Sequence, residues 1–70
     1  MKTIYYASHK NIKGNEQIKI DRMIDTLENV SYQVILTGNY TPNDKYERVV
    51  GLYDNIKEAK VFADNYNTLE

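Results

Sequence analysis

Asn15-Glu16-Gln17-Ile18-Lys19-Ile20-Asp21-Arg22-Met23-Ile24-Asp25-Thr26-Leu27-Glu28-Asn29 is the stretch on which the fold turns. Within it Ile20, Met23, Ile24 and Leu27 fall at i, i+3, i+4 and i+7, the spacing that lines one side of a helix. Asn15 supplies a cap for such a helix. Ile18 lies off that stripe, so residues 16–20 read alternatively as a short strand, with Asp21 capping a shorter helix. The ordinary length of helices favours the longer one, ending near Asn29.

Working outward, Thr3 to Ser8 is rich in β-formers and reads as a first strand, followed by a loop from His9 to Gly14. After the helix, Ser31 to Tyr40 sets Tyr32, Val34 and Leu36 against Gln33, Ile35 and Thr37, the alternation of a strand with one better-buried face. Thr41-Pro42-Asn43-Asp44 carries turn chemistry. Lys45 to Tyr53 alternates again, which predicts an antiparallel hairpin. Asn55-Ile56-Lys57-Glu58 resembles a capping box and opens a second helix, with Ala59, Phe62, Ala63 and Tyr66 as its buried stripe.

The predicted fold class is therefore α+β in the order β-α-β-β-α, a small three-stranded sheet with two helices packed on one face, forming a single compact domain over residues 1–70. The core is predicted to hold Ile4, Tyr6, Val34, Leu36, Val50 and Leu52. Tyr5, Ile35, Val49 and Tyr53 would then lie on the open face among Gln33, Thr37 and Glu47. An open sheet face is normally polar, and this one is half apolar. Gly38 and Gly51 interrupt the two hairpin strands at matching positions, where glycine suggests a bulge or a close approach. They are expected roughly opposite each other, leaving a flat spot for a partner's side chain.

Composition bounds the function. Seventy residues leave little room for a deep cleft, and the absence of cysteine leaves stability to packing and suits a reducing cytoplasm. The N-terminal Met1-Lys2-Thr3-Ile4 begins like a signal peptide, but His9, Lys10 and Lys13 interrupt it before an apolar run develops, and no segment reads as a membrane span. Nine basic against ten acidic residues give a net charge of −1, without the basic excess that phosphate backbones call for. Asn, Ile, Lys and Tyr, whose codons are AT-rich, make up 29 of the 70 residues. Yet there are seven tyrosines against one phenylalanine, whose codons are equally AT-rich, so base composition does not account for the preference for the ring with a hydroxyl. Such rings suit surfaces dry on one side and wet on the other.

Catalysis finds poor raw material. The only histidine, His9, neighbours Ser8, and adjacent strand residues point to opposite faces, which spoils a nucleophile–base pair. No catalytic residue, metal or cofactor is expected. Asp21, Asp25 and Glu28 form an acidic stripe on the first predicted helix: a solvated face on the plain reading, or a set of electrostatic guides toward a basic surface on the sharper one. Three carboxylates without further ligands make no calcium or magnesium site. Lys10 and Lys13, with Tyr5 and Tyr53, form the kind of arrangement some RNA-binding sheets use to stack bases, though no further motif supports it. Val61, on the polar side of the second helix, matters only if another apolar patch adjoins it.

These features point to a small non-catalytic protein-binding domain. The concrete expectation is an inhibitor or adaptor of a phage or mobile element that sterically occludes a host protein, either a nucleic-acid enzyme or a component of host defence. Tyr5, Ile35, Val49 and Tyr53 would anchor it, with Asp21, Asp25 and Glu28 as guides. A single-stranded nucleic-acid binder using Lys10 and Lys13, and a structural homodimer joined through open sheet faces, are the alternatives. The β-α-β-β-α order itself carries no functional licence.

Overall fold

The computed structural model describes residues 2–7 and 9–69. Four strands, β1 (Lys2–Ala7), β2 (Glu16–Ile24), β3 (Val30–Thr41) and β4 (Asp44–Tyr53), precede one helix, α1 (Ile56–Asn65). The strands form an antiparallel meander in the order β1-β2-β3-β4. The predicted three-stranded sheet with two helices is thus corrected to a four-stranded sheet with a single short helix among the described residues.

The correction lies in residues 15–29. Ile18 and Ile20, two apart, are both fully buried and pair with Leu36 and Val34 on β3, so the operative period is that of a strand. β-branched isoleucines suit that setting. The supposed helical stripe dissolves: Ile20 is in the core, but Ile24 is 56% and Leu27 79% exposed. The alternative reading of a short strand at residues 16–20 is nearer, although the strand runs on to Ile24 and no helix begins at Asp21.

Beyond Ile24 the chain reverses tightly. Asp25 donates its N–H to the Asn29 carbonyl, and Glu28 donates its own to the Asp25 carbonyl. Glu28 has φ 63°, so Thr26, Leu27 and Glu28 form a three-residue hairpin loop closed by a left-handed residue. That position normally carries glycine, and glutamate there hides the hairpin in the sequence.

The β3–β4 hairpin turns at Pro42-Asn43 as expected, with Thr41 opposite Asp44. Proline fixes φ near −65° and excludes the primed turns that match strand twist; a register irregularity between Asn39 and Thr41 adjoins the turn. Helix α1 also agrees with the sequence: the Asn55 side chain accepts from the Lys57 N–H at 2.7 Å, and Ala59 and Ala63 are fully buried.

The core lies between α1 and one sheet face. Ala7, Ile18, Ile20, Val34, Leu36, Ala59 and Ala63 form its centre, with Tyr5, Tyr32, Val50, Tyr53, Phe62 and Tyr66 around it. Of the predicted sheet core, Val34, Leu36 and Val50 belong here, whereas Tyr6 and Leu52 are 57% and 64% exposed and Ile4 sits at a register shift in β1. A bulge inverts the end of β4. Val34 pairs with Gly51 but Ile35 with Val49, so Val50 is extra, and beyond it Tyr53 turns to the helix and Leu52 away.

Gly38 and Gly51 are not opposite each other; they face Tyr46 and Val34. Neither leaves a vacant spot. The Tyr46 ring covers Gly38, and the rings of Tyr53 and Phe62 lie against Gly51, so the chain's own aromatics fill both places.

Candidate binding surface

Among the described residues, helix α1 covers one face of the sheet and nothing covers the other. By alternation from the buried Ile18 and Ile20, that bare face carries Tyr6, Lys19, Ile35 and Val49 in one row across the four strands. In the next row it carries Asp21, Gln33 and Leu52. Tyr6, Val49 and Leu52 are more than half exposed, while Ile35 among them is only 5% exposed, sheltered by its neighbours in mid-sheet.

Between these apolar groups runs a short ionic chain. Lys19 Nζ lies 3.7 Å from Asp21 Oδ2 and 3.6 Å from Glu47 Oε2. Asp21 is 3% exposed and also accepts a hydrogen bond from the Thr3 hydroxyl. A carboxylate so withdrawn from water is tolerable because it is paired and hydrogen-bonded. The two carboxylates draw the Lys19 ammonium across the face.

The other predicted site residues disperse. Tyr5 and Tyr53 are on the helix side: Tyr5 donates its hydroxyl to Asp64 on α1 at 2.9 Å under the ammonium of Lys60, and Tyr53 packs on Phe62. The hydrogen bond to Asp64 raises the Tyr5 hydroxyl above its ordinary pKa. Asp21, Asp25 and Glu28 form no stripe, since Asp21 is buried in β2 and the other two shape the β2–β3 turn. Lys10 and Lys13 are exposed in the β1–β2 loop. Ile35 and Val49 keep their expected face. Alternation does not place Tyr6 and Leu52 there; for Leu52 the available signal is Gly51, whose place inside a strand marks a bulge, while β1 carries no such sign for Tyr6.

His9 is held structurally. Its Nδ1 accepts the Asn11 N–H at 3.3 Å, and Nε2 lies 3.2 Å from the Ala63 carbonyl, which assigns the proton to Nε2. The ring thereby ties the β1–β2 loop to the end of α1. The same loop is clasped by the C-terminal tail, where Thr68 donates its N–H to the Asn11 carbonyl and accepts the Lys13 N–H. Ser8, its suggested nucleophilic neighbour, lies outside the described residues. Among the described residues no three His, Cys, Asp or Glu side chains converge as metal ligands, and no helix is long and apolar enough to cross a membrane.

Two concave regions flank the sheet. An open groove of about 610 Å³ lies between the β1–β2 loop and the projecting β3–β4 hairpin, with Glu16 and Tyr46 in its wall. Tyr46 donates its hydroxyl to Glu16, which raises that hydroxyl above its ordinary pKa, and its ring packs on Tyr40 at 4.5 Å. A shallower apolar groove of about 430 Å³ runs between α1 and β4, where Val61 adjoins Phe62 and Tyr53. The patch that would give Val61 meaning therefore exists, though it is narrow.

The chain matches no family model, no curated protein and no solved structure. Its chemistry has to be read from the surface itself.

Proposed function

We propose that this chain is a small binding domain without chemistry of its own, which occludes a protein partner through the uncovered face of its sheet. One observation carries the reading: Tyr6, Val49 and Leu52 stand more than half exposed around Ile35 on a face that a solvated meander would line with polar groups. Aromatic and aliphatic anchors beside a paired ionic group are the makings of an interface centre. The partner class expected from composition, a host enzyme or defence component, belongs to the same proposal. A nucleic-acid role draws less support, because Tyr5 and Tyr53 lie against the helix side and the net charge is −1.

The test is affinity capture from a host lysate with three folded baits: the native chain, Val49→Asp with Leu52→Asp, and Val61→Asp on the far side of the molecule. A partner retained by the native chain and by Val61→Asp, but lost by the double variant, is the expected result. Partners held equally by all three would refute the proposal.

A further inference from the structure

Strand β4 forms one outer edge of the sheet, and between its start and the bulge at Val50 it offers a regular run, Asp44-Lys45-Tyr46-Glu47-Arg48-Val49. Such an edge is a template for another strand. The opposite edge is poorer, because β1 spans only Lys2–Ala7 and is broken by a register shift between Thr3 and Tyr5. Asp44, Lys45, Glu47 and Arg48 are all exposed. Their order of signs, minus, plus, gap, minus, plus, distinguishes this edge from one simply blunted by charge.

We propose that two copies of the chain join edge to edge through β4, antiparallel and centred on Tyr46, so that their sheets become continuous. In that register Asp44 of each copy stands opposite Arg48 of the other, and Lys45 opposite Glu47, so every charge of the run meets its opposite and each pair occurs twice by symmetry. Neighbouring registers fail on the same charges. Centring on Lys45 sets that lysine against its own copy, and centring on Glu47 does the same for the glutamate. A slip of one residue opposes Asp44 to Glu47, or Lys45 to Arg48, like against like. A strand selects register by its side chains, and here the charges select a single one, with a second copy of this chain as the matching occupant.

The two-fold axis passes through the paired Tyr46 residues perpendicular to the sheet, because opposed residues in an antiparallel pair share a face. Both helices then lie on one side and both bare faces on the other, so the contact leaves Tyr6, Val49 and Leu52 free. The bulge at Val50 ends the new ladder on each side. The dimer is thus short and held largely by exposed charge, which makes it weak and sensitive to salt.

Sedimentation velocity across a wide concentration range tests this, with circular dichroism showing that each variant is folded. The native chain should pass from monomer to dimer as concentration rises. Asp44→Arg and Arg48→Asp, each placing like charges opposite one another twice, should weaken association by about tenfold or more. The exchange variant D44R/R48D should return it to within about threefold of the native value, because the pairs are restored with sides reversed. A native chain that stays monomeric at the highest soluble concentration, a dimer indifferent to the single reversals, or an exchange variant as weak as either single would each overturn the proposal. None of these readouts depends on capturing a partner at the bare face, so the two proposals fail separately.

Discussion

Glu28 holds a φ of 63°, in the region where a side chain crowds its own backbone. The β2–β3 loop needs a left-handed residue there, so replacing Glu28 by glycine should stabilise the fold by about 1 kcal/mol, read as a higher urea midpoint with an unchanged slope. A lower midpoint would show that the glutamate side chain contributes more than its backbone costs. Asp25 opens the same loop: its carboxylate accepts from the backbone N–H groups of Asn29 and Leu27 and from the Asn29 side chain. These bonds, the Asn29 N–H foremost, hold its carboxyl below the ordinary value of 3.8. A lowered native pKa means stabilisation that is complete above about pH 3.8, the unfolded value, and is lost as pH falls through the native one. Carbon-detected NMR titration of Asp25 should therefore give a midpoint below 3.8, and a midpoint at or above it would remove the capping account.

At the scale of elements, α1 lies close to the sheet because its inward positions are small. Ala59 and Ala63 are fully buried, and Ala63 also offers its carbonyl to His9. Ala63→Leu should lift the helix and cost about 1–3 kcal/mol, visible as a fall in Tm; a neutral result would mean the interface is looser than it looks. This helix was readable in advance because cap, stripe and period agreed. The β3–β4 hairpin was readable for the same reason, with Pro42 and Asn43 between two alternating runs. Strand β2 was not. Its Ile18 and Ile20 fit a strand period, but Ile20, Met23, Ile24 and Leu27 also fit a helical one, and the glutamate at position 28 removed the usual sign of a hairpin. Local pattern left two periods open, and pairing with both β1 and β3 decided between them.

For the whole molecule, one helix on a four-stranded sheet among the described residues gives a flat body with extents of 39 × 26 × 16 Å. Among the described residues one large face is left without a covering layer, and the alternation of β3 and β4 predicts a half-apolar face of this kind. Ile35 and Val49 lie on it, as the alternation of their strands predicts. Tyr5 and Tyr53 do not, because in β1 the small Ala7 fits beneath the helix while Tyr5 reaches Asp64 on it, and in β4 the bulge at Val50 exchanges the faces of Leu52 and Tyr53. The binding proposal stands on that exchange. The most direct test compares the thermal unfolding of Leu52→Asp and Tyr53→Asp. On a bare face Leu52→Asp should change stability by no more than about 0.5 kcal/mol, whereas Tyr53→Asp, placing a charge against Phe62 and the helix, should cost about 2 kcal/mol or more. The reverse order, with Leu52→Asp the damaging change, would put Leu52 in the core and contradict the account.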